Sequence, residues 1–434
     1  MAFEKFNIFD PLENLPYEIC EKIFKYLPVK NLLKASLVNS NWYKFIANNS
    51  KLMSKVKVKT SCNMDQDYSQ EIIVALTMSE RKYENIEIER CGQCWFPIFG
   101  LLESKKWKFV NILRTSFTHP AETVDFFRCI EQNVENLQMN GVYVRYSYSD
   151  GLNKGLMFPN LKRFSAKHVQ AFLYHEIFQN LQHLEHFEII SNDQNIASLN
   201  TVIKFLTVNE NLKSLQISGN VFYQIMYESN LVQKVPFHLK KLVISNGNYH
   251  QGSSYYEQIY DNLVTFIKSQ SNSLESISLD DWMGENVLTT IYELPKLKEL
   301  SIKGFTNCID TMHLKKINLN VNTSIRKLEL FAIAEDQLIF ESLMRATPAL
   351  KNLSLSLLNH HFLDTIKQSG ISLTHLTVYS VNLTHIESKD LFKKLEFLSI
   401  KDYRLCLREN IFAQSYENLS LFEKMLHAIM SRNL

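Results

Sequence analysis

The feature that most constrains this chain is a phrase written over and over along it: NLKSLQIS at 211–218, HLKKLVIS at 238–245, KLKELSIK at 296–303, ALKNLSLS at 349–356 and KLEFLSI at 394–400. Each copy has apolar residues at i, i+3 and i+5 with polar or small residues between them. In a chain that is 45% hydrophobic, one such match carries little weight, since about a tenth of windows would show it by chance. Recurrence at a fixed interval carries much more. The first apolar position falls at Met53, Tyr83, Trp107, Val134, Leu161, Leu184 and Leu212, then at Leu239, Leu274, Leu297, Ile325, Leu350, Leu373 and Leu395. The mean interval is about 26 residues. A further match, Leu314-Ile317-Leu319, breaks this rhythm and reads as part of an irregular connection. The long interval from Leu239 to Leu274 implies an insertion around 246–256.

Helical spacing fills the intervals, as in 121–133, 196–209, 255–270 and 335–348. In the last of these Leu338, Ile339, Leu343 and Met344 form one stripe, and Pro348 ends the helix. A strand and a helix in each unit predict an α/β solenoid in which stacking supplies the core that no single unit can bury. The chain resembles leucine-rich-repeat proteins over about residues 53–400, and the solenoid is expected to span 53–410 with about 14 repeats. The resemblance implies a horseshoe with a concave parallel sheet and convex helices. An Asn three residues past the last apolar position is rare here, Asn220 being one instance, so the repeats depart from the fullest consensus. Residues 411–434, with Leu421, Met425 and Ile429 on one stripe, read as a C-terminal capping helix.

The first fifty residues follow a different pattern. Pro16 opens a helix with Ile19, Ile23 and Leu27 at i, i+4 and i+8, and Pro28 stops it. A second short helix carries Leu32 and Leu33, and a third, capped by Asn39 or Ser40, carries Trp42, Phe45 and Ile46. Some 40 residues of this kind cannot bury so much apolar surface alone, so a partner is implied. The order and spacing of Leu15-Pro16, Glu18-Ile19, Ile23-Phe24, Leu27-Pro28, Leu32-Leu33, Val38 and Trp42 resemble the F-box family over residues 12–50. Asn39 stands where that family often has Ser or Cys.

The resemblance implies docking on the Skp-type adaptor, and through it on the cullin and RING subunits of a ubiquitin ligase. Carried over position by position, the adaptor contacts are Leu15, Pro16, Ile19, Ile23, Leu32 and Leu33, while Phe24, Leu27, Val38 and Trp42 are either contacts or internal core. The same helices should also cap the first repeat. The strand expected at 53–58 follows almost at once, which predicts a rigid junction.

Alternation along each strand turns the residues beside the third apolar position toward the concave face. That face reads as Lys55, Lys57 and Lys59 in the first repeat, and as small polar residues in most later ones. Its large groups are Phe331, His375, Tyr379 and Phe397, the candidate site for a target protein, since aromatics commonly anchor interfaces.

Other functional classes find little support. With 47 basic against 45 acidic residues, the net charge of +2 does not suggest a nucleic-acid or membrane binder. No apolar run reaches the length of a membrane span, and the opening residues lack a signal-peptide core. Seven Cys residues without a secretory signal read as reduced thiols, which points to the cytoplasm or nucleus. Cys91-Gly-Gln-Cys94 lacks the further ligands of a zinc site, and His183, His186 and His360-His361 lack acid/base or metal partners. No phosphate loop or nucleophile elbow is present. The expected function is therefore a non-catalytic receptor, without cofactor, that recruits a protein substrate to a cullin–RING ligase. The rival is a repeat scaffold that does not direct ubiquitination.

Overall fold

The structure is a computed structural model. It describes residues 10–61, 66–90, 95–117, 120–144, 156–169, 181, 183–190, 199–228, 235–245, 255–280, 284–303, 317–331, 337–382, 395 and 397–400. The expected cap at 411–434, the Cys91–Cys94 motif and the insertion at 246–254 lie outside these. Two compact units divide the chain after Asn209.

The first unit opens with five short helices, α1 (Pro11–Asn14), α2 (Tyr17–Tyr26), α3 (Val29–Ala35), α4 (Ser40–Asn48) and α5 (Ser50–Met53). Strands β1 (Lys57–Ser61), β2 (Asn85–Glu89), β3 (Phe109–Leu113), β4 (Ser116–Phe117), β5 (Asn136–Asn140), β6 (Tyr143–Val144), β7 (Arg163–Lys167) and β8 (His186–Ile190) follow. β1, β2, β3, β5, β7 and β8 pair in that order, all parallel, and β4 pairs with β6 beside them. The second unit continues the pattern with β9 (Ser214–Ser218), β10 (Lys241–Ser245), β11 (Ser276–Leu279), β12 (Glu299–Lys303), β13 (Lys327–Phe331), β14 (Asn352–Asn359), β15 (His375–Asn382) and β16 (Phe397–Ile400). These too run parallel in chain order. Each unit is a leucine-rich-repeat solenoid.

The repeated phrase explains the stacking. From β2 onward every strand of the two main ladders begins two residues after the first apolar position read from the sequence. Equivalent residues sit opposite one another, as in Leu242 with Leu215 and Ile244 with Ile217. The i+3 and i+5 side chains, such as Leu300 and Ile302, turn inward and are buried. Each fully buried Leu or Ile contributes about 1.5–3 kcal/mol. β12 pairs directly with β13, so the off-rhythm match at 314–319 adds no rung between them. Helices Pro120–Ile130, Leu199–Val208, Tyr255–Ser269 and Gln337–Ala346 lie where the apolar spacing predicts them. In the last, Ile339, Leu343 and Met344 are buried together with Phe340, whereas Leu338 turns outward. A residue one step off the stripe centre points about 100° away, and here Phe340 takes the inner place.

The first strand departs from expectation. β1 sets Val58 against Ile86 and Thr60 against Ile88, so its register starts two residues later than Met53 implies. Met53 instead closes α5, a turn capped by the Asn49 side chain. Lys57 and Lys59 take open-face positions, and Lys55 precedes the strand, with its Nζ on the Lys25 carbonyl.

Buried amides close the turns that lead into several strands. Asn209 accepts from the Leu184 N–H at 3.1 Å and donates to the carbonyls of Leu181 (2.7 Å) and Phe205 (2.8 Å). Asn322 donates to Tyr292 and Leu294 carbonyls at 3.0 and 2.9 Å. Gln270 accepts from the Leu239 N–H at 2.8 Å. Such brackets satisfy backbone groups that stacking would otherwise leave buried without partners.

Candidate functional site

The opening helices are built around an aromatic core. Phe24 of α2 is buried and meets Trp42 of α4 edge-on at 5.0 Å, with Phe45 at 5.5 Å. Tyr17 packs on Phe45 at 5.0 Å. Cys20, Leu32, Ala35, Ile46, Ala47, Leu52 and Met53 complete the buried set. The Cys20 thiol donates to the Pro11 carbonyl at 3.2 Å, and burial raises its pKa.

Polar staples fix the helices to one another. Asp10 caps α1 by accepting from the Leu12 N–H at 2.9 Å, and its carboxylate also receives the Trp42 indole N–H and the Asn39 amide. The Trp42 bond is the main cause that holds Asp10 below its usual pKa. Asn39 caps α4 by accepting from the Trp42 N–H at 2.8 Å. Buried Asn49 donates to the Tyr17 hydroxyl at 2.9 Å and to Glu21 at 3.1 Å, while Lys51 pairs with Glu21 at 2.9 Å.

The first repeat is tied to these helices directly. The Arg81 guanidinium donates to Ser36 Oγ at 2.9 Å and lies over the Tyr43 ring, and the Lys82 N–H donates to the Ala47 carbonyl at 3.0 Å. Sequence reasoning missed Asp10, Asn49 and Arg81. Asp10 ahead of Pro11 had a readable N-cap signal; the long-range partners of the other two did not.

Of the six proposed adaptor contacts, Ile19 and Ile23 stand 41% and 43% exposed, one turn apart on the outer side of α2. Pro16 is exposed, and Leu15 and Leu33 are half-buried. Leu32 is fully buried within the chain itself. It shares the buried side of α3 with Ala35. Phe24 is internal and Trp42 mostly so, whereas Val38 is 62% exposed beside exposed Leu37. Tyr26 and Val29 are exposed as well. Burying this much apolar side-chain surface is favourable, and a small domain rarely leaves it bare without a partner.

The open face of the sheet is a separate candidate. In the first unit Glu87 receives Lys57 at 2.7 Å, Lys59 at 3.0 Å and the Asn111 amide at 3.0 Å. The Lys57 ammonium, joined by Lys59 and opposed by burial, lowers its pKa to about 2. Glu188 is held by Lys167 at 3.0 Å and Ser165 at 2.5 Å. In the second unit Phe331 and Tyr379 meet edge-on with ring centres 5.0 Å apart, across the strand that separates them. His375 lies four residues earlier on the strand of Tyr379, about 13 Å away along it. It is paired in register with Phe397, whose side chain is outside the described residues. Among the described side chains Phe331 and Tyr379 form a pair, and His375 stands at the start of the strand that ends beyond Tyr379.

Among the described residues no group of three or more His, Cys, Asp or Glu could hold a metal, and no helix is long and apolar enough to cross a membrane. The Cys129 thiol, pushed up to about 11 by burial and by Glu103, stays protonated at neutral pH.

Residues 12–58 match the F-box-like family model. A search of the curated proteins gives no match. Among solved structures, one likeness is to a chain of the Toll–Spatzle complex of Drosophila, at 13% identity and a TM-score of 0.29, covering 79% of this chain and 49% of that one. This chain thus spans about half the length of that structure. The leucine-rich-repeat assignment rests on the stacked parallel strands themselves.

Proposed function

We propose that this chain, an F-box-like domain joined to a leucine-rich-repeat solenoid, is the substrate-receptor subunit of a cullin–RING ubiquitin ligase. Its opening helices dock the Skp-type adaptor, and its repeats hold a protein target. The observation that carries this reading is the outer face of α2, where Ile19 and Ile23 lie open above a core that is already complete. Leu15, Pro16 and Leu33 extend the contact, Leu32 backs it, and exposed Leu37 and Val38 enlarge it.

The receptor does no chemistry of its own. It raises the effective concentration of target lysines near the ubiquitin-charged enzyme. The Arg81–Ser36 and Lys82–Ala47 contacts favour a fixed geometry between docking helices and first repeat. On the open face the Phe331–Tyr379 pair, with His375 and Phe397, is the proposed target contact. The chain acts in the cytoplasm or nucleus, without a cofactor.

The test is co-purification of the tagged chain with adaptor and cullin, comparing wild type with Leu15→Asp/Ile19→Asp. Joint loss of adaptor and cullin, with target proteins accumulating in the variant, supports the receptor reading. Retention of adaptor without cullin supports the scaffold instead.

A further inference from the structure

The residue that precedes each strand of the solenoid, one step after the first apolar position, forms a row along the N-terminal edge of each sheet. Its backbone is fixed by a repeated device. In the second unit the Lys213 carbonyl accepts the N–H groups of both Lys240 and Lys241, at 2.7 and 3.0 Å. Lys240 does the same for Glu275 and Ser276, and Glu275 for Lys298 and Glu299. Lys298 does so for Arg326 and Lys327, and Arg326 for Lys351 and Asn352. Every member of the row is therefore held one strand spacing, about 4.8 Å, from the next.

The two units fill this row in opposite ways. In the first it reads, from β2 onward, Glu84, Lys108, Glu135, Lys162, Glu185, alternating in sign from rung to rung, with uncharged Val56 before β1. Neighbours neutralise each other, with Lys108 on Glu84 at 3.0 Å and Lys162 on Glu135 at 3.4 Å. In the second unit the six rungs before β9–β14 read Lys213, Lys240, Glu275, Lys298, Arg326, Lys351, five cations to one carboxylate, and the row ends on Thr374 and Glu396. The five cations are all exposed. Lys298 covers Glu275, the carboxylate within these six rungs, at 2.6 Å. Like charges on adjacent strands repel, and alternation would relieve the repulsion at no cost to the stack. The first unit adopts that solution and the second does not.

We infer that the N-terminal sheet edge of the second unit binds an acidic segment of a partner protein. The row spans about 24 Å, the length of about seven extended residues. An acidic peptide fits better than nucleic acid. None of these row residues is aromatic, so the row itself offers nothing to stack bases, and Glu275 and Glu299 lie among the cations, where a uniformly charged backbone would meet them. A peptide can set uncharged residues opposite those carboxylates. The inference goes beyond the receptor reading by naming the chemistry of a partner, and the assay below contains no adaptor, so either can fail without the other.

The experiment measures fluorescence anisotropy of the full chain with a fluorescein-labelled ten-residue peptide of alternating Glu and Ser, beside a twin with Gln for Glu. The Glu peptide should bind at least tenfold more tightly than its twin. Arg326→Glu/Lys351→Glu should weaken it at least tenfold, and Arg326→Gln/Lys351→Gln, with unchanged circular dichroism, by a smaller factor. The control Lys82→Glu/Lys106→Glu, with the same change in charge, should alter affinity less than twofold. Equal weakening by the control, or no preference for Glu over Gln, overturns the proposal. So does tighter binding of a ten-nucleotide single-stranded DNA or of phosphatidylserine vesicles through the same two residues.

Discussion

The indole Nε1 of Trp42 donates to Asp10 Oδ1 at 2.9 Å, joining the cap of the first helix to the ring that meets Phe24 edge-on. One carboxylate thus caps α1, receives Asn39 from the cap of α4, and orients the central aromatic pair. Asp10→Ala should lower the melting temperature by a few degrees and shift Trp42 fluorescence to the red, because the indole loses its partner. Because its folded pKa is depressed, the contribution of Asp10 is present above its unfolded pKa and fades as pH falls through the folded one. Unchanged tryptophan emission in Asp10→Ala would contradict this role.

Leu32 and Ile19 separate stability from docking. Leu32→Ala empties a fully buried site and should cost about 2–5 kcal/mol of stability in the isolated chain, read by urea titration. Ile19→Ala removes a side chain that is 41% exposed and should cost less than about 1 kcal/mol there. A smaller loss for Leu32→Ala than for Ile19→Ala would mean that α3 is packed differently.

Glu87 makes the first rungs of the solenoid sensitive to acid. Its pKa is lowered to about 2, so its stabilisation is complete above the ordinary carboxylate range and is lost as pH falls from about 4.5 toward 2. Its lysine partners are partly solvated, which reduces the expected effect to on the order of 2 kcal/mol. Glu87→Gln should be less stable than wild type by that amount at pH 7 and equal to it near pH 2. A difference that stays constant across that range would show that the ion pairs contribute nothing.

Phe331 and Tyr379 should be energetically coupled. A double-mutant cycle, Phe331→Ala with Tyr379→Ala, should give about 0.5–1.5 kcal/mol of interaction in thermal or urea unfolding. His375→Ala combined with either should be additive, since it stands at the other end of the strand. Coupling of His375 to Phe331 as large as that of Tyr379 would argue for one continuous patch.

The repeat was legible because its information is translational. Whatever one strand does, the next does about 26 residues later, so thirteen strand starts follow from one phrase. The first strand was misread because Met53, Val56 and Val58 satisfy the phrase better than the true frame does, in which Lys55 and Thr60 stand at apolar positions. The opening helices were legible as helices, since Pro16, Pro28 and Asn39 sit at their starts. Which apolar residue faces in and which faces out was not, because Leu32 and half-buried Leu33 are neighbours on a helix of seven residues, too short for a sequence period to assign its faces. The Asn209 and Asn322 brackets were invisible for another reason. An amide in a turn looks the same in sequence whether it faces solvent or three buried backbone groups.

The central claim is that the outer face of α2 is a docking surface. It is tested most directly by co-expressing the full chain with the Skp-type adaptor and measuring the eluted mass by size exclusion with light scattering, for wild type, Ile19→Asp/Ile23→Asp and Leu32→Ala. The account predicts a 1:1 complex for wild type and loss of the complex in the Asp pair, whose circular dichroism stays unchanged, because two unpaired carboxylates cannot be buried in an apolar contact. Leu32→Ala should keep the complex with a lowered melting temperature. Wild type eluting alone, or the Asp pair eluting with the adaptor still bound, would contradict it.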